Sequence, residues 1–167
     1  MFYLDYVLIS TVLLFHSGCS ETGTSTVTME PGKAFIIDIS AKKSTKKNPV
    51  SFELDAGEYR ITVIGVADGG AFNSWKPWFH REKQGEDGMW EKGWVNKYNY
   101  SSDEFSEVTC SDGIVYETPA LALAHASGSR FTLEKKTAVN FYISDAPSFD
   151  NSGGISLLVE PVVPSGM

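Results

Sequence analysis

Apolar and polar residues alternate with a period of two through much of the chain, in runs that are short. In Tyr59-Arg60-Ile61-Thr62-Val63, Tyr59, Ile61 and Val63 fall on one face and Arg60 and Thr62 on the other, as a strand with one buried face requires. Val139, Phe141 and Ile143 alternate in the same way with Asn140, Tyr142 and Ser144. Strand character recurs at 34–40, 50–54, 58–66, 94–100, 114–116, 131–133, 139–144 and 155–160, with Gly, Pro, Asp and Asn between the runs, as in Pro31-Gly32 and Asp55-Ala56-Gly57. Short strands at such intervals predict an all-β fold, an antiparallel β-sandwich or jelly roll. One segment departs from the pattern. Thr118-Pro119 opens an alanine-rich run that closes at Gly128; a capping Thr, a Pro at the first helical position and a terminal Gly predict one short helix. His125, near its end, reads as a surface residue that complements the helix dipole.

The stretch 68–112 is different, rich in Gly and charge and holding all four tryptophans, Trp75, Trp78, Trp90 and Trp94. Alternation puts Trp94, Asn96, Tyr98 and Tyr100 on one face, which places Trp94 in the core. Trp75 and Trp78 flank Lys76-Pro77, and a Pro cannot continue a central strand, so these two are expected to be exposed.

The N-terminus carries an apolar run, Tyr6 to Phe15, followed by His16-Ser17-Gly18-Cys19 and then the polar, Thr- and Ser-rich residues 20–28. A run of ten is too short to span a bilayer and fits the apolar region of a signal peptide, although Asp5 stands where a cation is usual. The expected organisation is a signal peptide over 1–18, a polar tether over 19–30 and one β-sandwich domain over 31–163. Ser17-Gly18-Cys19 resembles a bacterial lipobox, with His16 departing from its aliphatic position. A lipoprotein anchored at Cys19 and a plainly cleaved secreted protein both fit, as does the structural alternative of a Cys19–Cys110 bridge.

Charge and motif content narrow the function. With Lys+Arg 14 against Asp+Glu 21, a formal charge of -7 leaves no excess of cations to displace counterions from a phosphate backbone, so nucleic acid is not an expected partner. The cluster Lys42, Lys43, Lys46 and Lys47 sits among Ser, Thr and Asn and reads as a solvated loop. No HExxH, G-x-S-x-G, phosphate-binding loop or dinucleotide fingerprint occurs, and carboxylate pairs such as Asp87 and Glu91 are commonplace in so acidic a chain. The expectation is a protein that is not an enzyme.

The segment with the most chemistry lies between two confident strands: Asp145-Ala146-Pro147-Ser148-Phe149-Asp150-Asn151-Ser152-Gly153-Gly154. Several oxygen donors on one loop, two of them charged, suit a hard cation that takes six to eight oxygens, calcium above all. The same residues also build an ordinary tight turn, and composition leaves both readings open.

The run 141–147, followed by Asp150-Asn151-Ser152-Gly153 and an Ile-Ser-Leu-Leu-Val strand, resembles the C-terminal calcium loop of the LecA-like (PA-I type) bacterial galactose-binding lectins. A weaker similarity covers 61–69, where that family has a strand and a loop that gives a backbone carbonyl to the metal. The resemblance implies a small β-sandwich whose calcium is shared with two sugar hydroxyls. It implies Asp145, Asp150 and Asn151 as side-chain ligands and Ser148 near a backbone-carbonyl ligand, in a loop shorter than the family's. The early carbonyl would come from Asp68 or Phe72. His80 and Gln84 would correspond to the histidine and glutamine that hold the sugar, and Trp75 and Trp78 offer flat apolar surfaces for sugar C–H faces.

Together these readings lead to an exported, calcium-dependent carbohydrate-binding module for a galactose-like sugar or glycoconjugate, with oligomerisation left open. The alternative is a structural cell-surface domain in which calcium pins the loop and no sugar site exists. Export makes a direct prediction: fractionation of the natural host should recover the chain processed near Ser17-Gly18-Cys19, with a diacylglyceryl mass on Cys19 if it is a lipoprotein. Full-length protein with Met1 intact in the soluble cytoplasm would be the opposite outcome.

Overall fold

A computed structural model describes residues 27–28, 32–77, 93–146 and 148–163. The expected signal segment, most of the tether, and Trp78, His80, Gln84, Asp87, Trp90 and Glu91 lie outside the described residues. The strands are β1 (Val27–Thr28), β2 (Phe35–Ser40), β3 (Val50–Leu54), β4 (Gly57–Ile64), β5 (Trp75–Lys76), β6 (Tyr98–Ser102), β7 (Val108–Cys110), β8 (Ser129–Leu133), β9 (Thr137–Tyr142) and β10 (Ser152–Pro161). They form two sheets, ordered β1-β3-β9-β6-β7 and β2-β10-β4-β8, with β5 added to β10. All pairings are antiparallel except β1 with β3. Among the described residues no helix is long and apolar enough to cross a membrane.

The sandwich follows from the period-two pattern. In β2, Phe35, Ile37 and Ile39 point inward while Ile36 and Asp38 point outward; on β10, Ile155, Leu157 and Val159 are fully buried. β3 and β9 supply Phe52, Leu54, Val139 and Phe141 from the facing sheet. Each fully buried aliphatic or aromatic side chain contributes roughly 1.5–3 kcal/mol relative to exposure, and rings meet across the two sheets: Phe35 and Phe52 at 5.2 Å, Tyr100 and Phe131 at 5.6 Å between centroids. The short helix α1 (Pro119–Ala124) is present, with the Thr118 hydroxyl accepting from the Leu121 N–H at 3.2 Å and Pro119 in the first turn. His125 closes it and stacks on Tyr116, ring centroids 5.1 Å apart.

The tryptophans exchange roles relative to the sequence expectation. Trp75 is core, 2% exposed, with its indole N–H donating to the Lys97 carbonyl at 2.8 Å. Trp94 is half-buried, beneath the Lys76 ammonium at 5.8 Å from its ring. The cause lies in the pairing of β5: Trp75 stands opposite Gly153 of β10 and bridges Val95 on its other side, so it sits inside a small sheet extension. Pro77 ends β5 after two residues rather than keeping Trp75 outside. Three further strands were not expected, β1 in the expected tether, β5 itself and β7, while 114–116 yields only a bridge between Tyr116 and Trp94.

The loop 41–48 ties the sandwich together at one end. Ser44 accepts the Ile143 N–H on its carbonyl at 2.9 Å, and the Ala41 N–H donates to the Gly153 carbonyl at 3.1 Å. The loop is anchored to sheet one by Lys46, whose ammonium bridges the Glu107 carboxylate at 2.6 Å. The hydrogen bond from Lys46 holds the Glu107 carboxyl below its ordinary 4.5, and the same bond raises Lys46 above 10.5.

Two consequences can be measured. A lowered carboxylate pKa contributes stability that is present above 4.5 and lost as pH falls through the folded value; a raised lysine contributes below 10.5 and loses it as pH rises through the folded value. The unfolding midpoint of Lys46→Gln should therefore fall below that of the unmodified chain at pH 7 and match it at pH 2. Separately, a Cβ on Gly154 would lie 2.4 Å from the Ile39 carbonyl oxygen and 2.5 Å from the Phe72 ring. Denaturant unfolding of Gly154→Ala should show a loss of about 1–3 kcal/mol.

Candidate functional site

Three connections gather at the end of the sandwich where β10 begins: 41–48, 65–74 and 143–151. β10 is the reason. It pairs with β2 from Gly154 to Val159, with β4 from Ser156 to Pro161, and with β5 at Ser152 and Gly153. Its first residues therefore have neighbours on both sides, and its outer face is covered as well. The 65–74 connection lies on that face: the Phe72 N–H donates to Ser156 Oγ at 2.9 Å, Ser156 Oγ donates to Asp38 Oδ1 at 2.5 Å, and the Gly154 N–H donates to the Ser74 carbonyl at 3.3 Å. Ser156 is 0% exposed and still fully satisfied.

The loop 143–151 enters β10 through a turn closed by the Asn151 N–H donating to the Ser148 carbonyl at 3.3 Å, with Phe149 and Asp150 at its two central positions. Asn151 is 4% exposed. Its Nδ2 donates to the Ala41 carbonyl at 3.3 Å, and since Ala41 offers an acceptor there, the amide must present nitrogen to it and oxygen the other way. That oxygen, Asn151 Oδ1, has no donor, and neither has the neighbouring Asp150 Oδ1; both are buried. An acceptor removed from water without a partner costs roughly 1–3 kcal/mol. Two consecutive residues on one loop each carry such an oxygen. Both oxygens are acceptors, the kind of atom that a hard cation takes as ligand.

Other buried polar atoms are unpartnered too, the Asn99 Oδ1 acceptor among them. Ser74 and Asn96 lie opposite each other beside the Trp75–Val95 bridge, and Ser74 Oγ, Asn96 Nδ2 and Asn96 Oδ1 are unpartnered. That mixture of donors and acceptors suits water rather than a cation. On the outer face of sheet one, Asn99 donates to Glu107 Oε1 at 2.9 Å and Thr109 Oγ1 at 2.6 Å, a structural link between β6 and β7. The Glu104 carboxylate accepts from the Glu134 and Lys135 N–H groups at 2.7 Å and 3.2 Å, which caps the β8–β9 turn.

The residues expected at the site are distributed as follows. Asp150 and Asn151 sit side by side with their orphaned oxygens. Ser148 is half-buried and its carbonyl closes the turn; a carbonyl has a second lone pair with which to reach a cation. Asp145 is half-buried in the same loop. Asp68 is exposed in a 3-10 turn, and its carboxylate accepts weakly from the Gly65 N–H at 3.4 Å. Of the two early-loop carbonyl candidates it is Phe72, bonded to Ser156 and packed over Gly154, that the fold ties to β10. Trp75, buried in the core, presents no surface to a ligand. Among the described residues no three His, Cys, Asp or Glu side chains group as a metal site; the expected set has two carboxylates and draws the rest from an amide and carbonyls.

One residue was overlooked in the sequence. Phe149 is 71% exposed, at the corner of the turn and next to Asp150. The signal was its position in an otherwise Asp, Asn, Ser and Gly turn, where an apolar ring has no folding role. No protein-family model matches this chain, and neither a curated protein nor a solved structure does, so the lectin resemblance stands on the loop residues themselves.

Proposed function

We propose that this protein is a calcium-dependent carbohydrate-binding module of an exported protein. The observation that carries the reading is the pair of buried, donorless oxygens on Asp150 and Asn151. A loop that folds with two unpaired acceptors turned inward is arranged for a positive charge. Asp145 adds a second carboxylate, and the Ser148 and Phe72 carbonyls add neutral oxygens from a rigid frame. When bound, calcium offers its remaining coordination positions to vicinal hydroxyls of a sugar in place of water. The chain's own part is to hold the oxygens: Ala41 fixes the Asn151 amide, Ser44 fixes the loop entry at Ile143, and Gly153, at φ 80, turns the chain into β10. A Cβ at Gly153 would lie 2.5 Å from the Ser74 carbonyl oxygen, so the approach of β5 to the loop depends on glycine there. Export is supported by the apolar stretch Tyr6 to Phe15.

Calcium binding should raise the unfolding midpoint, by the equivalent of about 2.7 kcal/mol at free calcium 100 times the dissociation constant, and a chelator should reverse it. Asp145→Ala and Asp150→Ala should lose this response and all glycan binding, while Asp103→Ala, on an exposed turn, keeps both. In chelator, Asp150→Ala should melt no lower than the unmodified chain, because the substitution removes a buried unpaired acceptor. A melting curve indifferent to calcium would refute the site. Calcium-dependent stabilisation with no binding on a glycan array would replace the lectin reading with that of a structural surface domain.

A further inference from the structure

We propose that the loop 41–48 is a docking site for an acidic polysaccharide, held through the ammonium groups of Lys42, Lys43 and Lys47. The inference goes beyond the calcium reading above and does not depend on it. Four of the chain's 14 basic residues fall within 42–47, and no Asp or Glu stands between Asp38 and Glu53, in a chain whose formal charge is -7. Elsewhere cations are interleaved with acids: Arg60 pairs with Glu160 at 2.8 Å, Arg130 with Glu58 at 3.1 Å and Lys136 with Glu53 at 3.4 Å. On the loop Lys46 alone is paired, with Glu107. Lys42, Lys43 and Lys47 are exposed, and no carboxylate among the described residues bridges them. Like charges gathered in this way repel one another, so the arrangement gains nothing for folding, and a bound polyanion relieves it.

These cations stand on a fixed frame. The Lys43 and Ser44 N–H groups donate to the Ser40 carbonyl at 3.2 Å and 2.9 Å, the Asn48 N–H donates to the Thr45 carbonyl at 3.0 Å, and Asn48 Nδ2 donates to the Lys43 carbonyl at 3.2 Å. Ser44 is buried, and its Oγ accepts the Ser40 N–H at 3.2 Å. With the backbone bound in this way, a ligand has only side chains to order. A single exposed ion pair is weak and screened by salt, so the ligand must present several anions along one chain. Residues 42–48 hold no aromatic ring to stack a nucleobase and no large apolar side chain to enter a bilayer, whereas Thr45 and Asn48 offer hydroxyl and amide groups suited to sugar hydroxyls. Charge separates a polymer from a flat surface. An anionic membrane facing this end would also meet Asp145 and Asp150 on the adjoining loop, which the Ser44 carbonyl joins at Ile143; a narrow polymer strand need touch only the lysines.

The test compares the unmodified chain with a variant carrying Lys42→Gln, Lys43→Gln and Lys47→Gln, and with a charge-matched control carrying Arg130→Gln, Lys135→Gln and Lys136→Gln. Affinity for polygalacturonate, dextran sulfate and neutral dextran is read by calorimetric titration, in chelator throughout, so that the outcome is independent of any calcium site. The unmodified chain should bind one or both acidic polymers and not dextran, with carboxylate or sulfate preference read from the pair. Three phosphate-like contacts give a slope of about -2 in log affinity against log salt, so binding should weaken roughly twentyfold between about 50 and 200 mM salt. The loop variant should lose at least about tenfold in affinity at the lower salt, keep its unfolding midpoint and abolish the salt slope, while the control changes affinity by less than about twofold. Failure to bind either acidic polymer would overturn the proposal, and so would an equal loss in the control, which would make net charge the cause. Single-stranded DNA bound as tightly as the acidic polymers would replace the saccharide with unselective ion exchange. Sedimentation with phosphatidylserine vesicles that the loop variant abolishes, without polymer binding, would replace it with a membrane.

Discussion

The strand β10 is the constraint on which the rest of this molecule depends. It is the longest strand among the described residues, Ser152–Pro161, and it is hydrogen-bonded on both edges. A strand so placed has its register determined twice over, because a one-residue slip would drive Ile155, Leu157 and Val159 out of the core and break two ladders at once. The chain arriving at Ser152 is thereby held at a fixed point, and the loop from Ile143 to Asn151 must reach that point from the equally fixed end of β9. Loop geometry at this end is a consequence of strand pairing.

That rigidity explains how the loop can tolerate what it contains. The donorless oxygens of Asp150 and Asn151 would turn outward to water in an unconstrained segment. Here the Asn151 amide is held by Ala41, the loop entry by Ser44 and the exit by Gly153, so the penalty of unpaired acceptors is met by the pairing energy of the surrounding sheet. Cost accepted locally and offset elsewhere is a mark of functional sites. The exposed ring of Phe149 breaks the local rules in the opposite sense, an apolar group in water beside polar groups that have been withdrawn from it.

Glycine makes the close packing feasible. Gly70, Gly153 and Gly154 each stand where a Cβ would lie within 2.6 Å of a neighbouring atom, and together they let the 65–74 connection and β5 lie directly on β10. The side chains they admit, Phe72 over Gly154 and Trp75 beside Gly153, seal the outer face and the core.

Much of the fold was legible in the sequence because period-two alternation is a local property that survives unchanged into the sandwich: Tyr59 with Ile61 and Val139 with Phe141 point inward as their spacing requires. The helix 119–124 was legible from Thr118 and Pro119, whose effects reach no further than one turn. The loop 143–151 could be singled out from its crowding of oxygen-bearing residues. Which tryptophan enters the core could not be read, because Trp75 is buried by Gly153 and Val95, partners distant in sequence. Nor could the sequence distinguish a calcium loop from a plain turn, since Asp, Asn and Ser serve both. Only tertiary structure decided that Asn151 presents its amide to Ala41 and that Phe149 is left in solvent, for burial and hydrogen-bond partnership are properties of neighbours, and β-sheet pairing brings those neighbours from across the chain.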